Sequence, residues 1–156
     1  MGNLADRIEQ YLKKILEQAE SGYIIMQRGE LAEEFSCAPS QINYVLDTRF
    51  TVERGYLVES RRGGGGYLRI VRLGTTLDGQ LQQAMRQLIG EQLTQDRAYS
   101  LVSRLFEEGL ITVREAELIK CVLDREVLGG DMHERDMLRA RLMKRILITI
   151  CREDLD

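Results

Sequence analysis

Glu30-Leu31-Ala32-Glu33-Glu34-Phe35-Ser36-Cys37-Ala38-Pro39-Ser40-Gln41-Ile42-Asn43-Tyr44-Val45-Leu46 is the stretch whose reading decides the fold. Leu31, Ala32 and Phe35 share one face of a short helix, and Ser36-Cys37-Ala38 makes a tight turn. Pro39 then fits the first turn of a new helix, where its missing N–H costs nothing. That helix runs to about Phe50, with Ile42, Val45, Leu46 and Phe50 inward. A small residue that lets two helices cross closely (Ala32), a turn residue four later (Ser36) and two branched anchors (Ile42, Val45) are the spacing of a helix-turn-helix. The usual turn residue is Gly, and Ser36 departs from it.

Working outward, Leu4, Ile8, Leu12, Ile15 and Leu16 predict an amphipathic helix closed at Ser21-Gly22, and Tyr23 to Met26 a short strand. Downstream, Tyr56–Ser60 and Tyr67–Leu73 read as two strands around Arg61-Arg62-Gly63-Gly64-Gly65-Gly66, a β-hairpin. Helix, strand, helix, turn, helix, hairpin is the order of a winged helix-turn-helix, expected over residues 1–74. Residues 75–156 are helical in pattern and are expected to dimerise and regulate. Leu77, Leu81, Met85 and Leu88 line the first stripe, and Ala98, Leu101, Val102, Leu105 and Phe106 the second. Thr112 with Glu115 opens a third helix with Ala116, Ile119, Val122 and Leu123 inward, closed by Gly129-Gly130. Asp131 with Glu134 opens the last, with Leu138, Leu142, Ile146 and Ile150 inward. The fold class is therefore mainly α with a small hairpin.

The 156 residues carry a net charge of −3, unevenly spread. Residues 37–74 hold six Arg against three acids, while the segments on either side are each net −3. Arg presents a planar fork suited to phosphate and guanine edges. The second helix of the motif exposes Ser40, Gln41, Asn43, Tyr44 and Thr48, and its N-terminal end is the one that reaches base edges in a major groove. Gln and Asn pair bidentately with adenine; Ser donates to phosphate. Arg49, more than two turns along, is expected on backbone phosphate, with Arg28 a further backbone candidate. Four successive glycines lose much entropy on ordering, but give a backbone thin enough for a narrow groove, with Arg61 and Arg62 supplying charge.

Other chemistries find little purchase. No Lys or Ser/Thr follows the glycines as in a P-loop. Cys37, Cys121 and Cys151 are odd in number and far apart, and with the single His133 lack metal-ligand spacing. No enzyme activity, metal or cofactor is expected. With no apolar run long enough for a membrane span and no secretory pattern at the start, the expected location is the cytoplasm. The competing reading is a winged-helix adaptor that binds protein instead of DNA, against which the local positive charge weighs.

Gly29-Glu30-Leu31-Ala32 through Ala38-Pro39-Ser40-Gln41-Ile42-Asn43-Tyr44-Val45, followed by Arg61-Arg62-Gly63-Gly64-Gly65-Gly66-Tyr67, resembles the CtsR family, repressors of class three stress genes in low-GC Gram-positive bacteria. The resemblance runs through essentially the whole chain. It implies a homodimer on a double-stranded DNA operator, controlling protease and chaperone genes of the Clp class. It also implies heat release through the Gly-rich wing, and control by a protein arginine kinase, with Arg62 the phosphorylation candidate, and by a Clp ATPase.

Overall fold

The computed structural model describes residues 2–61, 66–74 and 85–155, apart from the side chains of Arg61, Met85 and Arg86. The chain divides into two compact units: residues 1–79 together with 151–156, and residues 80–150.

In the first unit, α1 (Leu4–Gln18) opens on a capping box. Asn3 Oδ1 accepts from the Asp6 N–H, and Asp6 accepts in return from the Asn3 N–H. β1 (Tyr23–Gln27), α2 (Arg28–Glu34), α3 (Pro39–Arg49), β2 (Tyr56–Arg61) and β3 (Tyr67–Arg72) follow in the predicted order. The helix α2 begins two residues before Glu30, which puts Arg28 inside it.

Ser36 is the one described non-glycine residue in the left-handed region, at φ 51. It stands where a helix usually ends on Gly. Its N–H donates to Glu33 O and the Cys37 N–H donates to Ala32 O, so the turn is a Schellman motif built on serine. Leu12, Leu16, Leu31, Ala32, Ile42, Val45, Leu46 and Phe50 close the core with Leu68 and Ile70 from β3. At about 1.5–3 kcal/mol for each large aliphatic fully buried, these side chains hold the three helices on one sheet face.

The sheet is antiparallel in the order β1-β3-β2, with Met26 opposite Leu68 and Ser60 opposite Leu68 on the other side. The hairpin β2–β3 is the wing. Of its tip, Gly66 is described at φ 73, whereas Arg62, Gly63, Gly64 and Gly65 lie outside the described residues. Residues 151–156, read in sequence with the helical half, belong to this unit: Arg152 bridges antiparallel to Leu73.

The second unit contains a wide helical turn (Met85–Ile89), α4 (Gln95–Glu107), α5 (Val113–Leu123), a short α6 (Arg125–Leu128) and the long α7 (Met132–Ile150). The expected positions Leu77 and Leu81 lie outside the described residues. The Thr112–Glu115 box is present with both hydrogen bonds. Asp131 accepts from the Glu134 N–H at 2.8 Å. The expected run to Gly129-Gly130 is instead broken at Asp124, which ends α5 and caps α6 by accepting from the Glu126 N–H.

The inward faces also differ from expectation. The buried residues of α7 are Arg139, Ala140, Met143, Leu147 and Ile148. Leu138 is exposed, and Leu142, Ile146 and Ile150 are half-buried. Phe106 and Val122, expected inward, are 45% and 46% exposed, and Leu88 is also exposed. Arg139 is only 1% exposed, and its guanidinium is satisfied. Nε donates to Leu123 O at 2.8 Å, and Nη1 to Leu93 O at 2.9 Å and Asp136 Oδ1 at 2.7 Å. A buried charge so partnered fixes the α5 end and the α4 entrance against α7.

Candidate nucleic-acid interface

The helix α3 buries an apolar stripe and turns a row of mostly polar side chains outward. Ile42, Val45 and Leu46 are buried, while Ser40, Gln41, Asn43, Tyr44, Asp47 and Thr48 are all exposed. Tyr44 stands 54% exposed, without a ring partner among the described aromatic pairs. The Thr48 hydroxyl donates to Tyr44 O at 2.6 Å, leaving its oxygen lone pairs outward. The N-cap of α3 is Ala38, which offers no side-chain acceptor; Pro39 has no N–H and the Gln41 N–H donates to Ala38 O at 3.0 Å, which leaves the Ser40 N–H for an outside partner. Asp47 also sits on this face, where its spacing in the sequence puts it, although it is not among the expected DNA contacts. Its carboxylate repels phosphate but accepts from the cytosine amino group.

Arg49 is not on that face. Its Nη1 lies 2.9 Å from Asp6 Oδ1 and 2.6 Å from Glu9 Oε1, both on α1. The signal was in the spacing: Arg49 follows Ile42 by seven residues, two helical turns, and so shares the inward side. The Arg49 guanidinium and the Asn3 N–H hold the Asp6 carboxyl below its ordinary range. Lys13 and then Arg49 do the same for Glu9.

Arg28 Nη2 donates to Ser60 Oγ at 3.3 Å, so α2 is tied to the end of β2 beside the wing. Its Nε is buried without a partner. Arg69 lies 3.6 Å from Asp154 and stacks 4.8 Å from the centre of the Tyr23 ring, and Arg72 pairs with Glu153. Three of the six Arg in residues 37–74 are therefore neutralised within the unit, which sequence charge counting could not register. Arg54 is exposed at the foot of the wing; Arg62 and the Arg61 side chain lie outside the description. Among the described residues no group of His, Cys, Asp and Glu could hold a metal ion, and no helix is long and apolar enough to cross a membrane.

In the second unit, α5 and α7 leave a groove of about 360 Å³ between them. Leu118, Ile119, Leu142, Ile146 and Ile150 line it, with Glu115 and Arg145 contributing opposite charges.

Comparison with known proteins places both halves. Residues 3–74 match the family model described as the CtsR N-terminal HTH domain, and residues 77–148 the CtsR C-terminal dimerization domain. The chain is 47% identical over 150 residues to the transcriptional regulator CtsR of Geobacillus stearothermophilus, covering 96% of this chain and 98% of that one. It is 44% identical over the same shares to that of Staphylococcus aureus (strain USA300). A crystal structure of CtsR in complex with a 26-bp DNA duplex matches at 47% identity and a TM-score of 0.50, covering 95% of this chain and 98% of that one. With a helix-turn-helix half and a dimerisation half both matched along nearly the full length, the chain belongs to the CtsR family of transcriptional regulators.

Proposed function

We propose that this protein is a homodimeric, sequence-specific repressor that lays α3 in the major groove of an operator and the wing in the adjacent minor groove. The observation that carries the reading is the unbroken polar face of α3 beside a wing hairpin, in a chain 47% identical to a protein crystallised on duplex DNA. Gln41 and Asn43 read base edges. Ser40 takes a phosphate through its hydroxyl and its backbone N–H at the start of α3, with Tyr44 and Thr48 flanking. Arg28, Arg61 and Arg62 meet the backbone and the minor groove, and Gly63 to Gly66 let the wing enter. Arg49 holds α3 at its angle on α1 instead of gripping phosphate.

In this reading residues 1–74 carry the DNA contacts and residues 75–156 the dimer and its regulation. One winged helix covers too little DNA for tight specific binding, so two copies are needed, related by a two-fold axis. The α5–α7 groove supplies the seam, its Glu115 and Arg145 edges suiting a self-complementary surface. By family resemblance the target genes encode Clp proteases and chaperones, and the location is cytoplasmic. Heat weakens binding because ordering the glycines on DNA carries an entropy cost that grows with temperature. The same resemblance supports a protein arginine kinase acting on Arg62, where a phosphate would turn attraction to DNA into repulsion, and a Clp ATPase as partner.

A mobility-shift assay on genomic fragments with excess competitor DNA tests the reading. A subset of fragments should stay bound and be released before the fold melts on heating. Uniform loss of all fragments to competitor would leave a winged-helix adaptor as the account.

A further inference from the structure

The last residues of the chain lie on the outer face of the wing sheet. The Gly74 N–H donates to Cys151 O, and Arg152 bridges Leu73. Arg152 Nη2 lies 2.8 Å from Asp154 Oδ2 and 2.8 Å from Glu59 Oε1. The Glu59 contact is an ion pair off the hydrogen-bond direction, and that oxygen has no other partner. Asp154, its side chain 2% exposed, also faces Arg69, while Glu153 pairs with Arg72, whose Nη1 donates to Leu16 O at 3.0 Å.

Glu59 and Arg69 are directly opposite each other on β2 and β3. The segment therefore holds both wing strands at one rung, two residues below the Arg61–Tyr67 pair where the tip begins. Val71 and Leu73 of the sheet and Cys151 of the segment are all buried. The close approach demands Gly22: a Cβ there would lie 2.7 Å from the Glu153 Cβ, at a φ of +80 that side chains rarely adopt. The segment also begins at the residue after Ile150, the end of α7, with no linker.

We propose that Cys151–Leu155 is a strap that fixes the wing hairpin from behind, so that the grip on DNA depends on a segment outside the recognition helix and the wing. The effect on DNA rests on the repressor reading above; the hold on the hairpin does not.

Two readouts on full-length dimer separate the two claims: hydrogen exchange of the β2 and β3 amides without DNA, and anisotropy on an operator duplex. Arg152→Gln should speed exchange in both strands and weaken operator binding, each by about tenfold, with α1 to α3 unchanged. Asp154→Asn should act in the same direction. Glu59→Gln/Arg152→Gln should be no worse than Arg152→Gln alone, since the two residues act through one contact. Parental exchange in both single variants, or additive losses in the double, would overturn the strap. Faster exchange with unchanged operator affinity would overturn its role in the grip. If the parent binds no duplex, the repressor reading fails, and the exchange data alone decide whether the strap holds the hairpin.

Discussion

The two units treat their apolar residues in opposite ways. The N-terminal unit closes its core: Ile8, Leu12, Leu16, Ile42, Val45, Leu68 and Ile70 are all sealed by helices on one face of a sheet. The helical unit buries Leu93, Ala98, Val102, Leu123 and Met143, yet leaves Leu118, Val122 and Leu138 exposed and Leu142, Ile146 and Ile150 half-covered. The difference teaches what each half is built to meet. The first shows solvent a polar helix face, which suits a charged, hydrated partner. The second shows an apolar groove, which suits another apolar surface.

The largest effects should come from breaking the closed core. Ile42→Ala should cost about 2–5 kcal/mol in chemical denaturation, because it opens a cavity between α3 and α1. A truncation of the same kind at half-buried Ile146 should cost the isolated fold clearly less. Ile146→Asp sharpens the contrast: sedimentation should show monomers at micromolar concentration, with the circular dichroism of the N-terminal unit retained. A dimer that survived would place the seam elsewhere than the α5–α7 groove.

Acid should act on the first unit through α1. Asp6 and Glu9 are held below their ordinary range by Arg49 and Lys13. Their contribution is complete above about pH 5.5, clear of the unfolded carboxylate values, and is lost as pH falls through those and then through the lowered folded values. Arg49→Ala should flatten the acid limb of the stability profile while leaving the salt dependence of DNA binding near that of the parent. A reduced salt slope would return Arg49 to the phosphate backbone. The smallest effect is expected at the turn. Ser36→Gly should stabilise by no more than about 1 kcal/mol in thermal melts: relief of the roughly 1–2 kcal/mol that a left-handed φ of 51 costs an L-residue outweighs the roughly 0.4–1 kcal/mol of unfolded-chain entropy that glycine adds.

What was legible in the sequence follows the same division. The winged unit declared itself because each of its elements has one apolar face and one destination, from Ala32, Ile42 and Val45 to the hairpin around the glycines. The long helix α7 did not, because it carries two apolar stripes. Leu138, Leu142 and Ile146 recur every four residues, and Ala140, Met143 and Leu147 run beside them at spacings of three and four. Only packing tells which one a single chain buries, and it buries the second around Arg139. Paired charges were equally hidden: Arg69 and Arg72 meet Asp154 and Glu153 across more than 80 residues of chain, a distance no local pattern reports. On α3 the polar face was readable from spacing, and Arg49 was misplaced where that same spacing was not applied.

The central claim is that the exposed face of α3 reads DNA sequence. It is tested most directly by titrating parent and Gln41→Ala protein, at several salt concentrations, against a selected operator fragment and a shuffled duplex of equal length. The account predicts that the parent prefers the operator strongly. For both proteins log affinity should fall linearly with log salt, and Gln41→Ala should lose about 1–3 kcal/mol on the operator alone. Equal binding of the two duplexes by the parent, or an unchanged operator preference in Gln41→Ala, would contradict it.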